Sequence, residues 1–272
     1  MRAWPWTISV SSDRGAVLAL VDAAVRRYGA DAFLSGGLRR GDRRWVVGVA
    51  PAASLVLEEG TGRDGIRDFI QAGPGPVLGF VSYAFGLGAS LGVCRDPAFP
   101  GGLLRRYRAV LEWDLDTGRL DLSAEDPRLG AALVDLLAAP QVPAPPPVLR
   151  GCAAPRPSMN RDEYVAGVEE TLEAIRDGLI YQLNLSIRYR VPFDHEAAWP
   201  LFRLLFERYP ASYYAYMDAG RYRLISTSPE RFLGVEDGWV RSQPIKGTAR
   251  VSAGSDELVV REYALDDTRQ TL

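Results

Sequence analysis

Gln243-Pro244-Ile245-Lys246-Gly247-Thr248 is the stretch around which the rest of the chain is read. Of the 32 basic residues, 31 are arginine, and Lys246 is the one lysine. Arginine serves for surface charge, ion pairs and carboxylate clamps, but it keeps its proton near neutral pH and so cannot act as an amine nucleophile. Arginine-heavy coding can also leave a single lysine by accident, so composition alone does not decide between the two. The setting adds weight. Pro244 stiffens the approach and Gly247 lets the backbone come close to a ligand, which holds Lys246 on a tight turn at a strand end.

Outward from this stretch, composition narrows the classes. A chain of 272 residues, 47% hydrophobic and 24% charged, has the make-up of a globular protein with a sizeable core. A net charge of −2 provides no footprint for nucleic acid or an anionic membrane. No apolar run reaches the roughly 18 residues of a membrane span, and Met1-Arg2-Ala3-Trp4-Pro5-Trp6 lacks the apolar core of a signal peptide. Cys94 and Cys152 read as two free thiols in a reducing cytoplasm rather than as a disulfide. His195 is the only histidine and there is no CxxC pair, which argues against a zinc site, and nothing nearby resembles a nucleophile elbow. In Gly86-Leu87-Gly88-Ala89-Ser90-Leu91-Gly92 the third glycine comes one residue late for a dinucleotide loop, so it reads as a turn.

Helix and strand patterns alternate through the first half. An amphipathic helix is expected from Asp13 to Tyr28, ending at Gly29, and short strands at Ala32–Ser35, Trp45–Val49 and Ser54–Glu58. Asp64–Ala72 reads as a helix and Val77–Tyr83 as a buried strand. Tyr107–Asp114 and Arg119–Ser123 form a hairpin across Asp116-Thr117-Gly118, and Asp126–Ala138 is helical. Ala139 to Pro147 is proline-rich and extended, the one convincing linker. After it, Asn160 with Glu163 makes a capping box for a helix carrying Tyr164, Val168, Leu172 and Ile175 and stopping at Gly178. Gln182 to Tyr189 alternates strictly, with Gln182, Asn184, Ser186 and Arg188 on one face, either a solvated face or the lining of a ligand site. A helix at Pro200–Tyr209 and a hairpin of Tyr213–Met217 with Tyr222–Ser226 follow. Ser228-Pro229-Glu230 then leads to a short strand, a Glu236-Asp237-Gly238 turn and Trp239–Gln243.

Three of these segments together resemble the chorismate-utilising enzymes, most closely component I of aminodeoxychorismate synthase. They are Ile180-Tyr181-Gln182-Leu183-Asn184-Leu185-Ser186, Ser228-Pro229-Glu230-Arg231-Phe232-Leu233 and Pro244-Ile245-Lys246-Gly247-Thr248, in the family's order and spacing. Gly79-Phe80-Val81-Ser82-Tyr83 and the hairpin around Asp116 are similar to the family's amino-terminal region. Two positions sort the branches. Anthranilate synthases carry alanine where Lys246 stands, and isochorismate and salicylate synthases carry a water-activating lysine where this chain has Gln182.

The resemblance implies an α+β fold, a two-sheet sandwich flanked by helices and incomplete here. It divides the chain into an anthranilate synthase component I-like amino-terminal region (1–138), a linker (139–157), the first part of a chorismate-binding domain (158–250) and a divergent tail (251–272) with a weak helix at Asp256–Leu265. It implies conversion of chorismate and ammonia to 4-amino-4-deoxychorismate on the 4-aminobenzoate and folate branch. Lys246 is then the nucleophile at C2 and Glu230 the acid at the C4 hydroxyl, with Gln182, Asn184, Gly247 and Thr248 binding substrate. Lys246 needs a lowered pKa and Glu230 a raised one, both favoured by burial. Mg2+ is the implied cofactor, its ligands expected in a segment this chain lacks, and a glutamine amidotransferase the implied partner. Departures are Gly178-Leu179 for Gly-Asp and Ser242-Gln243 for Thr-Arg before Pro244. The chain by itself is therefore expected to be inactive. The alternatives are an anthranilate synthase component I-like enzyme and a non-catalytic remnant that serves as a binding module.

Overall fold

The computed structural model describes residues 3–36, 43–58, 60–86, 99–139, 154–209, 211–236, 238–244 and 268–271. Two compact units divide the chain: Met1–Pro145 with Phe202–Leu272, and Pro146–Leu201. The first unit holds β1 (Trp6–Ser11), α1 (Arg14–Tyr28), β2 (Asp31–Ser35), β3 (Arg44–Leu57), α2 (Arg63–Gln71), β4 (Leu78–Val81), α3 (Tyr83–Gly86), β5 (Gly102–Asp114), β6 (Arg119–Ala124) and α4 (Pro127–Ala138). The second holds β7 (Arg156–Pro157), α5 (Arg161–Arg176) and β8 (Tyr189–Arg190). The chain returns to the first unit along α6 (Ala198–Arg208) and adds β9 (Tyr213–Asp218), β10 (Arg223–Ser228), β11 (Arg231–Glu236), β12 (Trp239–Gln243) and β13 (Thr268–Thr271). All pairings are antiparallel, so the α+β expectation holds.

The main sheet has eight strands in the order β1-β6-β5-β3-β2-β9-β10, with β4 also on β5. Its core face follows from the two-residue period of strands. One row of facing partners, Leu120, Trp113, Trp45, Leu34 and Tyr214, crosses five strands, and the next is Leu122, Leu111, Val47, Ala32 and Tyr216. All ten are buried. Buried α1 residues Val17, Leu20, Val21 and Ala24 and α4 residue Leu133 add to this core. From α6, the Phe206 ring meets Trp45 at 5.4 Å and Tyr214 at 4.9 Å, both edge-on. Arg203 of α6 pairs with Asp22 of α1 and Glu207. Residues that follow the proline-rich segment thus complete a sheet begun before it.

Local signals set the element ends. The Asp13 carboxylate accepts from Ala16 N at 3.0 Å to start α1, which Gly29 ends in the left-handed region at φ 68°. In the β5–β6 turn the Asp114 carboxylate accepts from the backbone N–H of Asp116 and Thr117, each at 2.9 Å, and these bonds hold its pKa below the usual carboxylate value. The capping box at Asn160 is present in both directions, 3.0 Å from Glu163 N to Asn160 and 2.7 Å from Asn160 N to Glu163.

Several expectations are corrected. Trp45–Val49 and Ser54–Glu58 belong to one strand, β3, whose register shifts between Pro51 and Ala53. Ala50 takes a positive φ of 54° there, and the bulge accommodates a proline that would otherwise end the ladder. β4 is not buried. Val81 is 59% exposed, and among the described residues β4 pairs only with β5. On α5 no residue is fully buried, and Leu172 and Ile175 are exposed, although Leu185 packs over Gly167. The alternating segment Gln182–Tyr189 has no regular structure until Tyr189, where the two-residue β8 meets β7. Alternation prepares a strand, but backbone partners make one, and among the described residues the ladder reaches only Tyr189 and Arg190, with Ser158 N–H donating to Arg188 O at 2.8 Å just before it. β13 forms against β12 where the sequence carried no strand signal. Residues 140–153 of the linker, the Gly86–Gly92 turn beyond Gly86, both cysteines and the tail helix lie outside the described residues, while Arg156–Pro157 at the linker's end form β7.

Candidate functional site

Glu230 lies in the turn between β10 and β11, and its backbone is fixed by Ser228. The Ser228 hydroxyl accepts from Glu230 N–H at 3.2 Å and donates to Glu230 O at 3.0 Å. This is the side-chain mimicry of a backbone turn that serine provides. The Glu230 side chain is exposed, so the burial expected for a general acid is not supplied by the described residues.

The next residue turns inward. Arg231 Nε donates to Tyr213 Oη at 3.0 Å, and the Arg231 guanidinium carbon sits 5.4 Å from the centre of that ring. Tyr213 Oη in turn donates to Gln243 Oε1 at 2.8 Å. Arg231 and Gln243 are direct partners across β11–β12. A tyrosine on β9 therefore braces the start of β11 and the end of β12. Sequence reading missed this trio; the one available hint was Gln243 standing in place of arginine before Pro244.

Gln182 and Asn184 are in the second unit, both exposed in the irregular stretch before β8. Lys246, Gly247 and Thr248 lie outside the described residues. Neither Gln182 nor Asn184 lines the cavity of about 590 Å³ in the second unit, which Arg156, Ser158, Arg188, Arg190 and Val191 help to form. Among the described residues no three His, Cys, Asp or Glu side chains are placed to hold a metal ion. Nor is any described helix long and apolar enough to cross a membrane.

Against known proteins, the family profile described as chorismate binding enzyme matches residues 40–266. Aminodeoxychorismate synthase component 1 from Klebsiella aerogenes is 28% identical over 207 residues, 72% of this chain and 45% of that protein. Anthranilate synthase component 1 from Acetivibrio thermocellus is 32% identical over 112 residues, 40% of this chain and 22% of that protein. Each match thus spans less than half of the relative. Among solved structures, anthranilate synthase component I from Streptococcus pneumoniae TIGR4 superposes with a TM-score of 0.58 at 22% identity, covering 76% of this chain and 54% of that one. That likeness is one of fold.

Proposed function

The chain belongs to the chorismate-binding enzyme family, and from that membership we propose that it acts as an aminodeoxychorismate synthase component I. The observation that carries the reading is the lone lysine, Lys246, in Pro244-Ile245-Lys246-Gly247-Thr248 directly after β12, combined with Gln182 in the first motif. That pair of residue types is the one that separates the branches in the resemblance.

The chemistry proposed for this chain's own residues balances in two displacements. The neutral Lys246 amine attacks C2 of chorismate, the ring double bonds shift, and the C4 hydroxyl leaves as water with the proton given by Glu230. Ammonia then attacks C4, the double bonds shift back and the lysine is expelled as a neutral amine. The added nitrogen returns one proton to the Glu230 carboxylate. The sum is chorismate plus ammonia giving 4-amino-4-deoxychorismate plus water. Arginine at position 246 would keep the charge and lose the nucleophile. Gln182, Asn184, Gly247 and Thr248 are assigned to substrate binding in the same proposal. The ammonia comes from a glutamine amidotransferase subunit, the site of action is the cytoplasm and the product feeds 4-aminobenzoate and folate formation.

The test is product analysis by mass spectrometry with chorismate and ammonium, using the full gene product and its Lys246→Arg variant. Aminodeoxychorismate from the parent, and loss of at least about a hundredfold in rate from the variant, is the expected result. Lys246→Arg turning over at the parent rate would refute the covalent role. Anthranilate with pyruvate as the sole products would place the chain with the anthranilate synthases, which the 32% match also supports. Saturable chorismate binding without either product is the outcome of a non-catalytic binding module.

A further inference from the structure

We propose that Tyr213 is a positioning residue, a brace that fixes both flanks of Glu230 and ties them to the end of the strand leading into Lys246. The inference rests on the reaction assigned above to those two residues, and it adds a side chain that the motifs do not contain.

Tyr213 reaches Glu230 from both sides. On the upstream side its backbone faces Ser228 across the β9–β10 ladder, and Ser228 holds the Glu230 backbone through its hydroxyl. On the downstream side its own hydroxyl accepts from Arg231 Nε at 3.0 Å. The hydroxyl's single proton goes to Gln243 Oε1 at 2.8 Å, so both its donor and an acceptor site are used. One phenol thereby links the residue before the turn, the residue after it and the last residue of β12.

The ladder itself leaves room for such a brace. β11 and β12 shift register between Arg231 and Gly234, so regular cross-strand bonding is interrupted just beyond Glu230. Bulges of this kind re-aim side chains and occur next to active sites. At the bulge a Cβ on Gly234 would lie 3.2 Å from Arg231 Nη1, a tight contact with the end of that side chain. The shift separates the Arg231–Gln243 pair from the regular ladder that resumes at Gly234, and the Tyr213 hydroxyl adds a side-chain bond to each member of that pair, next to the Glu230 peptide. From Gln243 only Pro244 and Ile245 separate the braced strand end from Lys246.

Tyr213→Phe tests this most directly. It keeps the ring under Arg231 and deletes only the two hydrogen bonds. In the full gene product, kcat should fall about tenfold or more, because small displacements of reacting groups have large kinetic effects. KM for chorismate and the melting temperature should stay near the parent's, a split that a merely structural role would not give. Gln243→Leu should produce the same kcat loss, and the double variant no more than either single one. A folded Tyr213→Phe enzyme with parental kcat overturns the proposal. If Tyr213→Phe does not fold, Gln243→Leu decides, and parental kcat there overturns it. If the parent makes anthranilate, the branch assignment fails but the brace is judged on that turnover. If the parent turns nothing over, the readout is the labelling rate of Lys246, the only side-chain amine. A rate raised in both variants supports the brace, and a rate equal to the parent's sinks it.

Discussion

Removing one hydroxyl from the core, Tyr107→Phe, should destabilise the first unit by an amount that depends on pH. Asp31 is fully buried at the start of β2 and accepts three hydrogen bonds: from Tyr107 Oη at 2.6 Å, Arg105 Nη1 at 2.9 Å and Asp218 N at 2.8 Å. Tyr107 lies across Gly48, where a Cβ would come within 2.5 Å of the ring, so the position is sterically defined and phenylalanine keeps the packing. Burial raises the Asp31 pKa above 3.8, against the lowering effects of Tyr107, Arg105 and the Asp218 amide. The folded pKa therefore exceeds the unfolded one. The native state binds this proton more tightly, and the group's contribution to stability falls as pH rises from 3.8 through the folded value.

Losing the phenol's bond to an ionised carboxylate costs about 1.5–3 kcal/mol, and to the protonated acid only about 0.5–1.5 kcal/mol. Tyr107→Phe should thus lower the melting temperature by roughly 4–10 °C above the folded pKa of Asp31, with a smaller loss below it. Thermal melts of parent and variant across acidic to neutral pH read this directly. Equal stability of the two proteins, or a loss that does not shrink on acidification, would show that the phenol is not holding the charge.

Two further substitutions probe backbone fit. Gly79→Ala on β4 would place a Cβ 2.0 Å from Leu103 O of β5, and should cost about 1–3 kcal/mol in urea unfolding, whereas an unchanged midpoint would mean that β4 does not pair as described. Asn160→Ala removes both acceptor bonds of the α5 capping box and should cost about 1 kcal/mol, seen as earlier loss of helical circular dichroism and faster amide exchange in the first turn of α5.

What the sequence revealed was local. Asp13, Asp126 and Asn160 announce helix starts because their side chains bond amides two or three residues away. The β5–β6 turn is similarly contained within Asp114 to Gly118. What it concealed was decided by partners distant in sequence. Pro51 reads as a breaker, yet β3 runs through it because β5 pairs on both sides of the bulge. Gln182–Tyr189 reads as a strand, yet among the described residues only Tyr189 at its end enters one. The candidate chemistry divides in the same way. Lys246 and Glu230 are recognised by residue type and motif, while Tyr213 binds partners 18 and 30 residues away and belongs to no motif.

The link between core and candidate site runs through two neighbours on one strand. Successive side chains of β9 point to opposite faces. Tyr214 enters the row of Leu34, Trp45, Trp113 and Leu120 and is held there edge-on by Phe206. Its neighbour Tyr213 is thereby turned to the other face, toward Arg231 and Gln243. Burial of Tyr214 sets the register of β9, because a slip by one residue would put Tyr213 in the core and Tyr214 at the turn. The exposed Glu230 turn consequently takes its position from a strand anchored in the packed core of the sheet. The sheet built across the proline-rich segment thus has a functional consequence: β2, from before it, fixes the strand that holds the residues on either side of Glu230.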